Sequence, residues 1–491
     1  MISGSFWMMS VNLFQRGVGF ISTIILARLL PPEDFGLVAM ATVIMAFLQA
    51  LTQFGFDVAL IQKRDATREH FDTAWTYNIL FAITSGSILA ALAWPAARFY
   101  GEPRIIPIML VFAATVLMQG FQNIGVVRFR KDLEFQREFN FLAGVKLCSF
   151  IVTISIAIIW RNYWALVIGT LSGSVVTVVL SFILHDFRPR LSIAKSKELF
   201  SFSIWMFLNN ILYFMRTRGA DLIVGRVLGP RSLGLFTVGQ EVASLPTNEL
   251  IAPINRAIFP GYSKIADDKN RLRAAFVNVI STIAMVALPA AVGIAVVSDL
   301  AIPLFLGENW IDAVPLVEIL AMVGLLGALH SNTGVAYIAL GKPYIHVFLQ
   351  LGATLILFPL VVLVAPKGGI YSVAYAYLIA NGASFVVNVF VASRLLDLTV
   401  LHLLATAIRP LLAALVMFGC VSAVKPVLAA NAFLSVQLLS CMALGALVYI
   451  STVLLLWVSA GRPAGAETFV LETARRLPVV GRLSRLLLAN R

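Results

Sequence analysis

The sequence predicts an all-α polytopic membrane protein with about fourteen transmembrane helices. They are expected as two pseudo-symmetric six-helix lobes followed by a final pair. Three observations lead there. First, 60% of the 491 residues are hydrophobic and only 12% charged, with a mean hydropathy of +0.91; a soluble domain keeps about a quarter of its residues charged. Second, the apolar runs reach roughly 20 residues, the length of a helix that spans a bilayer, whereas barrel strands are about half as long and alternate in polarity. Third, residues 7–37 match residues 205–235 at a constant offset of 198. Trp7 falls on Trp205, Met8 on Met206, Asn12 on Asn210, Arg28 on Arg226, Leu30 on Leu228, Pro32 on Pro230, Gly36 on Gly234 and Leu37 on Leu235. The Asn, Arg, Pro and Gly identities carry the match, because composition alone would mostly pair Leu with Val. Duplicated halves in a membrane chain point to a transporter with its site between them.

The expected segments are 6–29, 34–61, 72–99, 105–127, 139–160, 163–185, 199–227, 232–261, 273–298, 313–340, 343–365, 369–393, 401–424 and 434–458. They group into an N-lobe (1–190), a C-lobe (191–398), a final helix pair (399–459) and a basic tail (460–491). A six-segment repeat keeps its orientation, so the lobes should be related by an axis along the membrane normal. In the tail, Val470, Leu477, Val480, Leu483 and Leu487 accompany Arg475, Arg476, Arg482, Arg485 and Arg491. That pattern suits an amphipathic helix on an anionic leaflet.

Alternate connections differ in charge. One set holds Lys63, Arg64 and Arg68, then Arg128, Arg130, Lys131 and Arg137, then Arg188, Arg190, Lys195 and Lys197, then Lys264, Lys269, Arg271 and Arg273, then Lys342 and Arg394. The other set is much poorer. By the positive-inside rule the rich set, and both termini with it, should face the cytoplasm. The first segment carries Asn12, Gln15 and Arg16 and lacks a basic region before it, so it is expected to be a retained span rather than a cleaved signal. The net charge of +13 resides in these connections and the tail, so nucleic acid is not an expected partner. Cys148, Cys420 and Cys441 lie within apolar segments and suggest neither a disulfide frame nor a metal site.

Charges inside the spans are the informative residues. A cation at a helix centre costs about 2.5–3.5 kcal/mol on insertion scales and normally faces a bundle interior or a wet cavity. Arg16, Lys146, Arg216 and Arg218 are therefore the candidate substrate-binding cations, with Asn12 and Asn210 as hydrogen-bonding support. Such a cavity suits an anionic substrate, and phosphate most of all. Asp57, Asp221, Glu241 and Glu249 are candidates for ion coupling. Arg218 and Asp221, three apart on one helix face, are equally placed to neutralise each other. No nucleophile–base spacing, phosphate loop or metal cluster is evident, so catalysis, cofactor and metal are not expected.

Several runs have a familiar form: Ala27 to Leu37 (ARLLPPEDFGL), Phe54-Gly55-Phe56-Asp57, Ala59-Leu60-Ile61-Gln62, Asp72-Thr73-Ala74-Trp75, and Arg128 to Phe135 (RFRKDLEF). The chain resembles the polysaccharide transporters, repeat-unit flippases of the multidrug/oligosaccharidyl-lipid/polysaccharide (MOP) superfamily. The likeness is greatest to the branch that exports capsule or exopolysaccharide units of the colanic-acid type. The resemblance implies an oligosaccharide on undecaprenyl pyrophosphate, flipped from the inner to the outer leaflet of a bacterial inner membrane. Two lobes around a cation-lined cavity would alternate in access, for lipopolysaccharide or exopolysaccharide export. A polysaccharide polymerase is the expected protein partner. The alternatives are a cation-coupled drug antiporter of the same superfamily, which should hold acids rather than bases at its centre, and a membrane-embedded glycan acyltransferase or polymerase, which needs a large external loop that the chain lacks.

Overall fold

The computed structural model describes residues 2–52, 55–63, 65–429, 433–462 and 467–468, with some side chains inside its helices left undescribed. It is nearly all helix. The elements are α1 (Ile2–Leu29), α2 (Pro32–Thr52), α3 (Phe56–Gln62), α4 (Arg68–Ala91), α5 (Ala93–Tyr100), α6 (Ile105–Gly120), α7 (Val127–Lys131), α8 (Phe135–Trp160), α9 (Trp164–Leu184), α10 (Ser196–Ile265), α11 (Lys269–Phe305), α12 (Val314–Ala339), α13 (Pro343–Leu395), α14 (Val400–Ala429) and α15 (Leu434–Ser459). The amphipathic helix expected over 460–491 falls almost wholly outside the described residues.

The helix ends follow local chemistry. Pro32 opens α2, where its missing N–H costs nothing, and Glu33 and Asp34 in the first turn suit the positive end of the helix dipole. The expected segment 34–61 is interrupted: α2 ends at Thr52, and Gly55 takes a left-handed conformation (φ 68°) before α3. The expected segment 105–127 bends as well, with 65° between Ile105–Gly120 and Ile124–Lys131. α10 and α13 have 70 and 53 residues; straight, they would be roughly 105 and 80 Å long at 1.5 Å per residue, far beyond a bilayer. Gly229 (φ 79°) breaks the first and Gly369 (φ 65°) the second. Among the described residues ten helices are long and apolar enough to cross a membrane, or eleven with the bent pair as one span. The expected fourteen is not reached by this count, in which α13 is one helix and α10 does not qualify.

The chain forms two compact units. The first holds the described part of 1–237 with 305–310 and 361–370; the second holds 238–304, 311–360 and the described part of 371–491.

In the first unit the duplicated turns meet each other. A Cβ on Gly36 would lie 1.7 Å from the carbonyl oxygen of Pro230, and one on Gly234 would lie 1.8 Å from that of Pro32. These are the equivalent positions of the repeat, and the contact is reciprocal, as across a two-fold axis. Backbone touches backbone here, which only glycine allows. Trp310, fully buried, seals the same region. Its indole Nε1 donates to the Ala27 carbonyl at 2.8 Å, and its ring meets Phe35 edge-on at 5.1 Å. Arg28 donates to the Phe305 carbonyl at 3.1 Å.

At another part of this unit a carboxylate ties α10 to α4. Glu198 accepts from Lys63 at 2.6 Å and Lys195 at 3.1 Å, and lies 3.1 Å from His70 Nε2. His70 also caps α4, its Nδ1 accepting from the Thr67 N–H at 3.1 Å. The Lys63 bond first, then those of His70 and Lys195, hold the Glu198 carboxyl down to about 2, from an ordinary 4.5. An acid depressed in the fold stabilises it above the unfolded value, and the contribution fades as pH falls toward the folded one. Glu198→Gln is therefore expected to lower the thermal midpoint equally at pH 7 and pH 5. The gap to the parent protein should shrink below about 4.5 and close near pH 2. Melting curves across pH check this; a gap that closes already at pH 5 contradicts it.

The second unit packs α11, α12, α14 and α15 through small side chains: Ala284, Ala287, Ala291, Ala413, Ala414 and Cys441 are all buried. In lipid the hydrophobic effect does not draw helices together, so close backbone approach and interhelical hydrogen bonds do. Asn332 donates to Tyr262 Oη at 3.0 Å, Thr333 to Asn388 at 3.0 Å, and Tyr449 Oη to the Met285 carbonyl at 2.7 Å. Lys425 meets Asp299 at 2.7 Å.

Candidate functional site

A polar cavity of the first unit begins with a glycine seam. Gly169 and Gly173 are spaced G-x-x-x-G on α9 and face Thr153 and Ser149 of α8. A Cβ on Gly169 would lie 2.0 Å from Thr153 Oγ1, and one on Gly173 3.1 Å from Ser149 Oγ. Both hydroxyls are satisfied: Ser149 donates across the seam to the Gly169 carbonyl at 3.0 Å, and Thr153 to the Ser149 carbonyl of its own helix at 2.7 Å. Gly169→Ala should force the two helices apart and cost about 1–3 kcal/mol, the usual range for overpacking. The thermal midpoint of the purified variant measures it.

Lys146 lies one turn before Ser149 on the same face of α8. Its Nζ sits against α1, 3.7 Å from where a Cβ on Gly19 would be. Ser22 and Leu26 of α1, Lys146, Ser149, Phe150 and Thr153 of α8, and Leu166, Gly169 and Thr170 of α9 line a cavity of about 170 Å³. This volume holds several water molecules at ~30 Å³ each. Among the described residues Lys146 has no ion-pair or hydrogen-bond partner. An ammonium group facing four hydroxyl-bearing side chains and no carboxylate is arranged for a hydrated anion.

The other predicted residues divide. Arg16 is exposed and Asn12 half-buried, both on α1. Arg16 is three positions before Gly19, so it starts from the side of α1 that meets Lys146. Both Arg16 and Asn12 make interactions of their own. Asn210 is half-buried on α10. Arg218 and Asp221 meet, Nη1 to Oδ2, at 3.6 Å, with Asp221 buried. Mutual neutralisation is thus realised, though incompletely: Asp221 Oδ1 is buried with no hydrogen-bond partner. Tyr100, whose hydroxyl is likewise buried and unpartnered, packs on Gly225 one turn beyond, its Cε1 2.9 Å from a Cβ placed there. Asp57 on α3 and Glu241 on α10 are exposed. The side chains of Arg216 and Glu249 are outside the description. The structure therefore brings Lys146 to the α1 seam and joins Arg218 to Asp221. It adds Ser22, Ser149, Thr153, Thr170 and Tyr100, which the sequence reading did not single out. Hydroxyls spaced i, i+3, i+7 from Lys146 were the available signal, but Ser and Thr in a membrane helix equally serve as interhelical glue.

Fold and site together define a polytopic helical membrane carrier with an unneutralised cation in a polar cavity. The chain belongs to the polysaccharide biosynthesis protein family, whose model matches residues 25–315. It is 26% identical over 396 residues to the lipopolysaccharide biosynthesis protein WzxC of Escherichia coli K12, covering 79% of this chain and 80% of that one. It is 23% identical over 458 residues to the succinoglycan biosynthesis transport protein ExoT of Rhizobium meliloti, covering 89% and 90%. Among solved structures it is similar in fold to the lipid II flippase MurJ in an inward closed conformation. There the TM-score is 0.73 at 15% identity, over 94% of this chain and all of that one.

Proposed function

We propose that the protein is a flippase. It moves an undecaprenyl-pyrophosphate-linked oligosaccharide repeat unit from the inner to the outer leaflet of the bacterial inner membrane, for exopolysaccharide, capsule or O-antigen export. The observation that carries this reading is the unpaired Lys146 ammonium in its polar cavity of about 170 Å³. A cation that faces hydroxyl-bearing side chains and no carboxylate stabilises an anionic guest. The names of WzxC and ExoT point to the same cargo class.

In this reading the pyrophosphate docks on Lys146 and Arg16, with Arg218, Arg216, Asn12 and Asn210 along the same route. The sugars occupy hydrated space, and the polyprenyl tail stays in lipid. Access alternates between lobes 1–190 and 191–398, with residues 399–459 as an accessory pair and both termini in the cytoplasm. The reading keeps fourteen crossings, which requires the two parts of α13 on either side of Gly369 and the two parts of α10 on either side of Gly229 each to span the membrane. The membrane potential assists, because a negative headgroup leaves the negative side; each uncompensated charge gains about 2.3 kcal/mol per 100 mV. Of the four coupling candidates, Asp57, Asp221, Glu241 and Glu249, Asp221 is favoured, since its free Oδ1 and the free Tyr100 hydroxyl leave a place for an exchangeable proton or cation. A polysaccharide polymerase is the proposed downstream partner.

The test is reconstitution. Proteoliposomes holding a labelled lipid-linked oligosaccharide are expected to move it to the leaflet where a membrane-impermeant enzyme trims it, faster than protein-free vesicles do. Equal rates, together with extrusion of a cationic drug by the same vesicles, would favour the antiporter reading.

A further inference from the structure

Arg128, on the short α7, stands at the centre of a cluster that the transport reading leaves unused. Its guanidinium carbon lies 4.7 Å from the ring centre of Phe71 and 4.9 Å from that of Phe187. Both rings are buried, and they meet each other at 5.8 Å. Phe187 is held by Asn123, itself buried, whose Nδ2 donates to the Phe187 carbonyl at 2.7 Å. The platform is therefore built by three separate stretches: the start of α4, the turn after α6, and the link after α9.

The rings occupy the π face of the guanidinium and leave its N–H edges. Among the described residues Arg128 has no hydrogen-bond or carboxylate partner. Its neighbours are mostly cations. Arg68 lies 5.5 Å from the Phe187 ring and donates to the Arg188 carbonyl at 3.0 Å. Lys131 lies 5.8 Å from the Phe71 ring and donates to the Lys63 carbonyl at 2.8 Å. Arg188 donates to the His185 carbonyl at 2.7 Å. The acids nearby are engaged elsewhere: Asp72 with Arg68 at 3.6 Å and with the Arg190 N–H at 2.9 Å, and Glu134 with Arg137 at 3.0 Å. Asp186 is exposed beside them.

The cluster adjoins an apolar face. Ile183 and Leu184, in the last turn of α9, are 67% and 41% exposed, and Phe121, after α6, is 40% exposed. A fork of free N–H donors beside exposed aliphatic side chains, at the ends of spanning helices, has the polarity of a phospholipid: phosphate at the guanidinium, acyl chains along the aliphatic face. We propose that Arg128, flanked by Arg68, Lys131 and Arg188, is a binding site for the headgroup phosphate of an anionic phospholipid. The rings hold the guanidinium in place, so binding does not have to immobilise a long side chain. The bound lipid would rivet together α4, α7 and the α9–α10 link.

Native mass spectrometry of the intact protein released from nanodiscs of mixed phosphatidylglycerol and phosphatidylcholine tests this. The wild-type protein is expected to retain phosphatidylglycerol. Arg128→Gln should weaken that retention about tenfold or more, the loss of a charge-assisted bidentate contact. Arg128→Lys keeps the charge over the rings but not the fork, and should fall in between. Arg226→Gln, which removes a guanidinium 5.7 Å from the Phe99 ring, should change nothing. If Arg128→Gln does not insert, the Lys variant alone decides. Unchanged retention in the Arg128 variants overturns the proposal. So does displacement of the lipid by millimolar inorganic phosphate, because the site would then recognise a free anion.

Discussion

Gly36→Val is expected to abolish accumulation of folded protein, and Gly234→Val to do the same. The first added carbon alone would lie 1.7 Å from the Pro230 oxygen at Gly36, and 1.8 Å from the Pro32 oxygen at Gly234. The obstacle in each case is backbone at the mouth of a helix, so no side chain can rotate away. Overpacking a core ordinarily costs about 1–3 kcal/mol because neighbours yield. Here they cannot, and the loss should reach at least about 3 kcal/mol, a large part of a domain's whole stability. Even Ala should be poorly tolerated at both positions. Gly17→Ala is the control, since nothing lies within 4 Å of its new methyl; it should stay within about 1 kcal/mol of the parent. Fluorescence-detected size exclusion and thermal unfolding give the answer. Because the contact is reciprocal, the double variant should lose less than the sum of the singles. Wild-type-like melting of Gly36→Val would mean that the duplicated turns do not touch.

Lys146→Gln should lower the rate of lipid-linked oligosaccharide flipping about tenfold, and Arg16→Gln with it about a hundredfold. A hydrogen bond to a charged group is worth about 1.5–3 kcal/mol, and each 1.4 kcal/mol is a factor of ten in rate. Lys146→Arg retains the charge, but the broader guanidinium must fit among Ser22, Ser149 and Thr170 in a cavity of about 170 Å³. Partial activity is therefore expected of it. The amount of correctly inserted protein, measured alongside, separates loss of flipping from loss of folding. Full polymer export by the Arg16→Gln, Lys146→Gln double variant would remove both residues from the substrate route. Glu198→Gln and Gly169→Ala test scaffold rather than substrate, so their effects should appear in melting curves first.

Much of this architecture was legible beforehand. Pro32 and Pro230 marked the two turns, Gly36 and Gly234 followed at equal spacing, and most of the expected segments fall on helices of the chain. The hydrophobic pattern reports length and polarity, and in a membrane those two quantities decide where helices run. The interruptions were harder to see. Gly55 breaks the expected second segment and the turn after Gly120 bends the fourth, yet neither glycine differs on paper from Gly17 or Gly261, which lie within regular helix. A glycine's conformation depends on what its surroundings demand, not on its own preference.

The candidate site divides in the same way. Arg16 and Lys146 stood out because a cation is costly in a span. Ser149, Thr153 and Thr170 did not, because a hydroxyl in a helix can bond its own backbone and costs little wherever it faces. Tyr100 and Asp221 are 121 positions apart, and no periodicity links them. Arg128 was counted among the cations that orient the chain, and nothing near it in sequence indicated that Phe71 and Phe187 would leave its donors free.

Helix content, approximate span boundaries, the internal duplication and the presence of expensive interior cations were determined by the sequence itself. Each follows from the local free energy of placing a residue in lipid. Which glycines would touch backbone, which cation would be left without a carboxylate, and where hydroxyls would enclose a cavity were decided only by tertiary structure. Those outcomes depend on helix faces that meet across tens to hundreds of residues, and between helices already in lipid the hydrophobic effect has no preference to read.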